Sequence, residues 1–272
     1  MTVRSTIVVL WRYAPIFILL AAWQMASELK FVPDSLLPSF FDVVHRWLEF
    51  LADGEIAKSG TFLWDAVRSF FASTVVTNTA ASMWRGMVGL GLSIILGVTL
   101  GIAMAWFQKL RDFFEPIVMI SYPIPKPALI PIFIIWLGLG HISKIAVIFA
   151  GCLIPIVISA FNGARGVDRY LIWSARNMGT REGKLLWRVV VPASLPDILS
   201  GIRMALAISF ILLVSSEMLA AKSGLGFLIF FLGESGEYAG MFAAVLTITL
   251  LGFFADRAYL TIMRRILIWR EE

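Results

Sequence analysis

Apolar runs alternate with short polar stretches along the whole chain, and six of the runs are long enough to be membrane helices or nearly so: Tyr13–Ser27, Met83–Phe107, Phe113–Leu139, Ile145–Phe161, Ile198–Ala221 and Met241–Met263. A helix crosses a bilayer with roughly 20 apolar residues. Between the first two runs, Val43, Trp47, Phe50 and Leu51 recur at helical spacing within Asp42–Leu51, which predicts an amphipathic helix lying at an interface. The acidic residues of that region, Glu28, Asp34, Asp42, Glu49, Asp53, Glu55 and Asp65, suit the outer side.

Two runs carry internal detail. In Met83–Phe107, Gly89, Ser93, Gly97, Gly101 and Ala105 stand four residues apart, a seam along which another helix backbone can approach closely. In Phe113–Leu139, Pro116, Pro123, Pro125, Pro127 and Pro131 forbid one continuous helix. Broken backbone at membrane depth is tolerated where protein or a watery path surrounds it. Tyr122, Pro123, Pro125, Lys126 and Pro127 are therefore candidates for lining a translocation path, joined by Ser215 and Ser216 of the fifth run. For Lys126 two readings stay open, a place in the path or a side chain snorkelling to headgroups. Glu217, an intramembrane carboxylate near the outer end, reads as a brace for a neighbouring helix, since an anion passing there would be repelled.

The long polar interruption of the second half, Asp168–Pro196, has the pattern of a rigid elbow. Asp168 opens a helix, Gly179 ends it in the left-handed conformation, Thr180 caps a second helix and Pro192 stops it. Ser194 then caps the next segment, with Pro196 and Asp197 in its first turn. Leu185, Leu186, Val189 and Val190 form an apolar stripe on the second helix, which predicts burial against a partner.

Composition fixes the solvent. At 59% hydrophobic, 15% charged and a mean hydropathy of +0.86, a chain of 272 residues must use the bilayer to cover its apolar surface. The net charge of +5 and pI near 9.6 do not signal nucleic acid, because the basic residues cluster between apolar runs. Most of the 23 Lys and Arg, Arg203 among them, fall on the side that places both termini inside; Arg85 and Lys144 fall outside. No small-x-small cleavage site follows the first run, so it is expected to remain as a helix. The single cysteine, Cys152, excludes an intrachain disulfide. The stretch Gly179–Leu185 has one residue too few between its glycines for a phosphate-binding loop and lacks the hydroxyl that would hold magnesium. Neither a catalytic constellation nor a metal-binding one is present in the sequence pattern, so no catalytic or metal residues are expected.

The elbow residues Ala175, Arg176, Gly179, Leu195 and Pro196, in the pattern A-R-x-x-G followed by L-P, resemble the EAA loop of binding-protein-dependent ABC transporter permeases. The stretches SMWRGMVGLGLSIILGVTLGIAM, YPIPKPALIPIFIIWLGLGHISK and SEMLAAKSGLGFLI are similar to the branch that imports sulfonates, taurine and nitrate. One departure is that Trp173 stands at the family's glutamate position and Ser174 at its second alanine-type position. The resemblance implies an all-α polytopic protein of about six transmembrane helices, like the permeases of type I ABC importers. It covers roughly residues 80–270 and implies a core permease domain over 83–272 with a coupling loop at 165–197, while the first apolar run and the acidic stretch after it make an N-terminal membrane and periplasmic or interfacial segment over 1–82. The implied partners are a cytoplasmic ABC ATPase dimer holding the ATP and magnesium, a periplasmic or lipid-anchored substrate-binding protein, a second permease copy forming a homodimer, and lipid of the bacterial inner membrane. No cofactor is implied for this chain, and no nucleic acid. Ala175, Arg176, Gly179, Thr180, Leu185, Leu195 and Pro196 would form or fix the ATPase-docking surface, and Lys222–Gly240 a re-entrant or interfacial element beside the outer gate. The alternative, a secondary transporter or channel working without ATP, predicts inverted repeats and paired membrane acids; the proline-rich span has no repeat in the other half.

Overall fold

The computed structural model describes residues 3–31, 33, 36–52 and 72–269, with side chains described for 14–31, 33, 36–51 and 72–269. The expectations that rest on Asp34 and on 53–71 lie outside the described residues. Ten helices are described: α1 Val3–Glu28, α2 Phe40–Ala52, α3 Thr74–Trp106, α4 Gln108–Ser121, α5 Ile130–Leu137, α6 His141–Arg165, α7 Arg169–Asn177, α8 Glu182–Ala220, α9 Leu225–Glu234 and α10 Tyr238–Ile266. No strand occurs among the described residues. Helices α3, α6, α8 and α10 are each long and apolar enough to cross a membrane. A bent pair is apolar and long enough to make a fifth crossing or a re-entrant loop: α4 and the segment Lys126–Leu137, a 3-10 turn followed by α5, meet at 95° across the proline-rich break. In α1 the apolar part with described side chains, Ala14–Glu28, is shorter.

The chain divides into two compact units, 1–79 with 228–248, and 80–227 with 249–272. In the first, Ser39 caps α2 by accepting from the Asp42 N–H at 3.1 Å while donating to its carboxylate at 2.6 Å. The amphipathic pattern of α2 shows in its burial: Val43 and Phe50 are buried while Asp42, His45 and Glu49 are exposed, with Phe41 and Leu48 exposed as well. Trp23 stacks edge-on with Phe40 and donates from its indole to the Pro38 carbonyl at 3.0 Å. Arg46 pairs with both Glu49 and Glu237 and lies over the Phe50 ring.

In the second unit the small-residue seam of α3 meets α6. A Cβ added at Gly89 or Gly97 would sit 2.8 Å from Ile148 or Ile156, and one at Gly101 2.5 Å from the Val157 carbonyl. Ser93 donates to its own helix at the Gly89 carbonyl, 2.8 Å, and across the seam to the Phe149 carbonyl, 3.0 Å. Close backbone approach replaces the hydrophobic drive that lipid cannot supply. Behind this layer, α8 runs along α6: Gly201 lies against Ser159, and Cys152 donates to the Ala205 carbonyl at 3.3 Å.

Helix α8 corrects the expected elbow. Pro192 does not stop the second helix; residues 182–220 are one continuous helix, with a π-turn at Leu186–Val190. Proline lacks an N–H and its ring crowds the carbonyl four residues back. The wider π-turn, with the Val191 N–H reaching the Leu186 carbonyl, comes just before the ring and makes room for it. Ser194 accordingly caps nothing: it is buried mid-helix and donates to the Val191 carbonyl at 2.9 Å. Thr180 is not the cap of the second helix either, since Arg181 occupies that position without a side-chain bond.

Candidate functional site

Three clusters of polar groups are set into this framework. The first lies near the His141 end of α6. Glu217 of α8 accepts from Ser82 at 2.8 and 3.0 Å, from the Arg85 guanidinium at 2.5 Å and from the Gly226 N–H at 3.0 Å. Arg85 also donates to the Ser223 carbonyl and hydroxyl and to His141 Nδ1. Lys144, in the first turn of α6, donates to the carbonyls of Leu139 and Ala220. Glu217, Arg85, Lys144 and Ser82 are all at most 3% exposed. Arg85 and Lys144 are therefore not outer-loop charges, as expected from the charge count, but members of a buried network. Gly224 completes it: its φ of +118° suits only glycine, and a Cβ there would strike the Glu217 carboxylate. In the sequence the signal for this cluster was the S-G-L-G run after Glu217; nothing marked Ser82 or Arg85 as its partners.

The second cluster is the break between α4 and α5. Lys126 donates its ammonium to the carbonyls of Ser121 and, at 3.3 Å, Tyr122. These end α4, where carbonyls have lost helical partners and a cation is favoured. Lys126 is half-buried, and its Cβ packs near Gly151, close to the middle of α6. Tyr122, Pro123, Pro125 and Pro127 are exposed around it. A cavity of about 470 Å³ lies between Glu115 and Met119 on α4, Tyr122 just past its end, and Val157, Phe161 and Asn162 on α6. Ser215 is half-buried; Ser216 is buried and donates to the Leu213 carbonyl at 3.0 Å.

The third is the elbow. Asp168 caps α7, accepting from the Tyr170 N–H at 2.8 Å. Gly179, at φ +76°, ends it: the Gly179 N–H reaches the Arg176 carbonyl at 2.9 Å and the Thr180 N–H the Ala175 carbonyl at 3.1 Å, a Schellman pair. Arg176 then bridges the turn to Glu182 at 3.0 and 3.2 Å. The apolar stripe finds its cover within the chain: Leu185 and Val190 are buried, Val190 against Ala164 and Val167. Ala175 and Pro196 are buried too, and Leu195 is half-buried. What faces outward instead is Tyr170, Leu171, Trp173, Met178 and Trp187, each more than half exposed, with Trp173 edge-on to Tyr170. Beside them Arg181, Lys184 and Arg188 line a groove with Gly179 and Thr180.

Among the described residues no group of three or more His, Cys, Asp or Glu is placed to hold a metal ion. Residues 93–268 match the family described as the binding-protein-dependent transport system inner membrane component. The chain is 29% identical to the taurine transport system permease protein TauC of Escherichia coli (strain K12), over 94% of this chain and 88% of that one. It is 33% identical to a Brucella abortus (strain 2308) protein described as an ABC transporter permease, over 86% of this chain and 95% of that one. Its backbone superposes on a chain of the inward-facing MetNI methionine ABC transporter with a TM-score of 0.58, at 20% identity, over 69% of this chain and 93% of that one.

Proposed function

The chain belongs to the binding-protein-dependent transport inner-membrane family, as a non-catalytic, multi-pass permease subunit of an ABC importer with the type I fold, and on that premise we propose how its parts divide the work. The elbow from Arg169 to Pro196 docks a cytoplasmic ATPase dimer, whose nucleotide-driven closure moves α7 and the start of α8 as one piece. The break around Lys126 lines the path of a small anionic solute delivered by a substrate-binding protein. Glu217 braces the periplasmic end. A second copy of the chain completes the path, and both termini lie in the cytoplasm. Likeness to a taurine permease favours a sulfonate or a related small anion.

One observation carries this reading: five large apolar side chains stand exposed on a helix pair whose own cap, Schellman turn and ion pair already hold it rigid. Such a surface is built before its partner arrives, and rigid transmission needs that. Because α8 is unbroken from Glu182 to Ala220, displacement of the elbow passes directly into a membrane crossing. The test is Gly179→Asp in the membrane-inserted chain, which places a carboxylate among Arg181, Lys184 and Arg188. Insertion should persist while the ATPase no longer co-purifies and uptake stops; undiminished co-purification would remove the elbow from the docking surface. For Lys126, replacement by Ala should weaken uptake of an anionic substrate, and unchanged uptake kinetics would restrict it to capping α4.

A further inference from the structure

Arg203 and Asp256 form a two-point ion pair between α8 and α10, Nε to Oδ1 at 2.7 Å and Nη2 to Oδ2 at 3.0 Å, with side chains 47% and 37% exposed. The pair's depth follows from its neighbours. Gly201 lies against Ser159 and faces the Pro155 carbonyl, and Ala205 receives the Cys152 thiol, so Arg203 is level with residues 152–159 of α6. That helix is 25 residues long, about 37 Å at 1.5 Å per residue, and these residues occupy its central part. Arg203, expected among the inner-side charges, is thus within a membrane crossing. Open charge at that depth does not face acyl chains; intramembrane ions turn to protein or to a watery cavity.

The two charges favour water, although exposed neighbours on α8 and α10, Met204, Ile211, Phe253 and Phe254, are apolar. On α8 the exposed positions Ser200, Met204, Ala207 and Ile211 follow one another at helical spacing beside Arg203, while Ile202, Ala205 and Leu212 are buried. A dry protein interface would have to desolvate both charges, with little return from a pair already satisfied. The guanidinium is also only half used. Nε and one N–H of Nη2 go to Asp256, and among the described residues Nη1 has no hydrogen-bond partner. The end-on fork of Nη1 and Nη2 is therefore open, and it matches two oxygens of a sulfonate, carboxylate or nitrate group.

We propose that Arg203 is an oxyanion station on the water-filled translocation path, and that Asp256 holds its guanidinium in place and moderates its charge. This rests on the importer reading but on none of the path residues suggested by the sequence. A lone arginine at this depth would hold an anion tightly; a fixed carboxylate on its other edge lowers that affinity, so the anion can leave as well as arrive.

The test exploits Cys152, the chain's single cysteine, which is buried and so gives a silent background. Met204→Cys and Ala207→Cys leave the ion pair untouched. In the membrane-embedded permease each is reacted with two water-soluble methanethiosulfonates, one bearing a sulfonate and one a trimethylammonium group. The sulfonate reagent should react faster relative to its rate with a free thiol, and adding Arg203→Gln should lower that preference about tenfold, the scale on which a focused charge concentrates counter-ions. Arg203→Lys should keep most of it. Reaction only with a lipid-soluble maleimide would place the face in acyl chains and overturn the proposal. Disulfide formation between two copies would make it a protein contact, with the same result. Reaction with no charge preference, or a preference that survives Arg203→Gln, would leave a wet face without an anion station and overturn it too. Labelling needs no ATPase, so a failure here is distinct from a failure of the docking reading.

Discussion

The Glu217 network and the elbow use the same kinds of residue to opposite ends. Around Glu217, every charge is buried and has its partners inside the chain: a carboxylate with three donors, a guanidinium with four acceptor groups, and an ammonium on two carbonyls. On the elbow the charges lie open and the largest apolar side chains point outward, though the backbone beneath is as firmly capped. The first region is finished by folding. On the docking reading proposed above, the second is finished only by the ATPase. On that reading the importer uses both, since a moving part transmits force only when its far end is anchored.

That contrast predicts the largest effect at Glu217. Glu217→Leu leaves Arg85 and Lys144 buried without an anion, and removing one partner of a buried pair costs about 3–5 kcal/mol. Thermal unfolding in detergent should show a large drop and membrane yield should fall. The double variant Arg85→Met with Glu217→Leu should recover part of the loss. A Glu217→Leu protein as stable as the parent would mean that the network contributes no stability.

Gly224→Ala comes next. It forces a side chain into φ +118° and against the Glu217 carboxylate, so about 1–3 kcal/mol should be lost at a position on no helix. An unchanged melting temperature would show that the turn relaxes freely. On the elbow the expectation inverts. Trp173→Ala with Met178→Ala should leave stability within about 0.5 kcal/mol, as for exposed sites generally, and yet weaken ATPase retention on the purified permease. If stability falls and retention does not, the two regions do not differ as described.

How much of this was legible in the sequence varies with the reach of the interaction. The α3 seam, the Asp168 cap, the Gly179 turn and the proline break depend on residues within a few positions of one another, and spacing alone displays them. Pro192 misled because a π-turn, which leaves no compositional mark, can carry a helix past a proline. The apolar stripe at Leu185 was real, but a stripe does not say whether its cover is a partner or the same chain. Ser82 and Arg85 lie 135 and 132 residues from Glu217, and Asp256 lies 53 from Arg203. Pairings at such separation exist only once the helices are packed. Charges inside apolar runs were visible, and the sequence assigned them to loops for want of a partner.

The smallest effect should come from an ion pair outside the crossings, on α2. The hydrogen bond from Arg46 holds the Glu49 carboxyl below its ordinary value of 4.5, and the same bond raises Arg46. A carboxylate depressed in the folded state adds stability above its unfolded value and loses it as the pH falls through the folded one. From neutral pH down to about 5 this pair should therefore contribute no change, with weakening confined to more acid solution. Glu49 is solvent-exposed, and Arg46 keeps Glu237 as a second partner when Glu49 is protonated. Glu49→Gln should accordingly leave the neutral-pH melting temperature unmoved and flatten only the acid limb of the stability curve. A loss at neutral pH approaching that of Glu217→Leu would show that burial is not what separates a pair that holds the fold from one that decorates it.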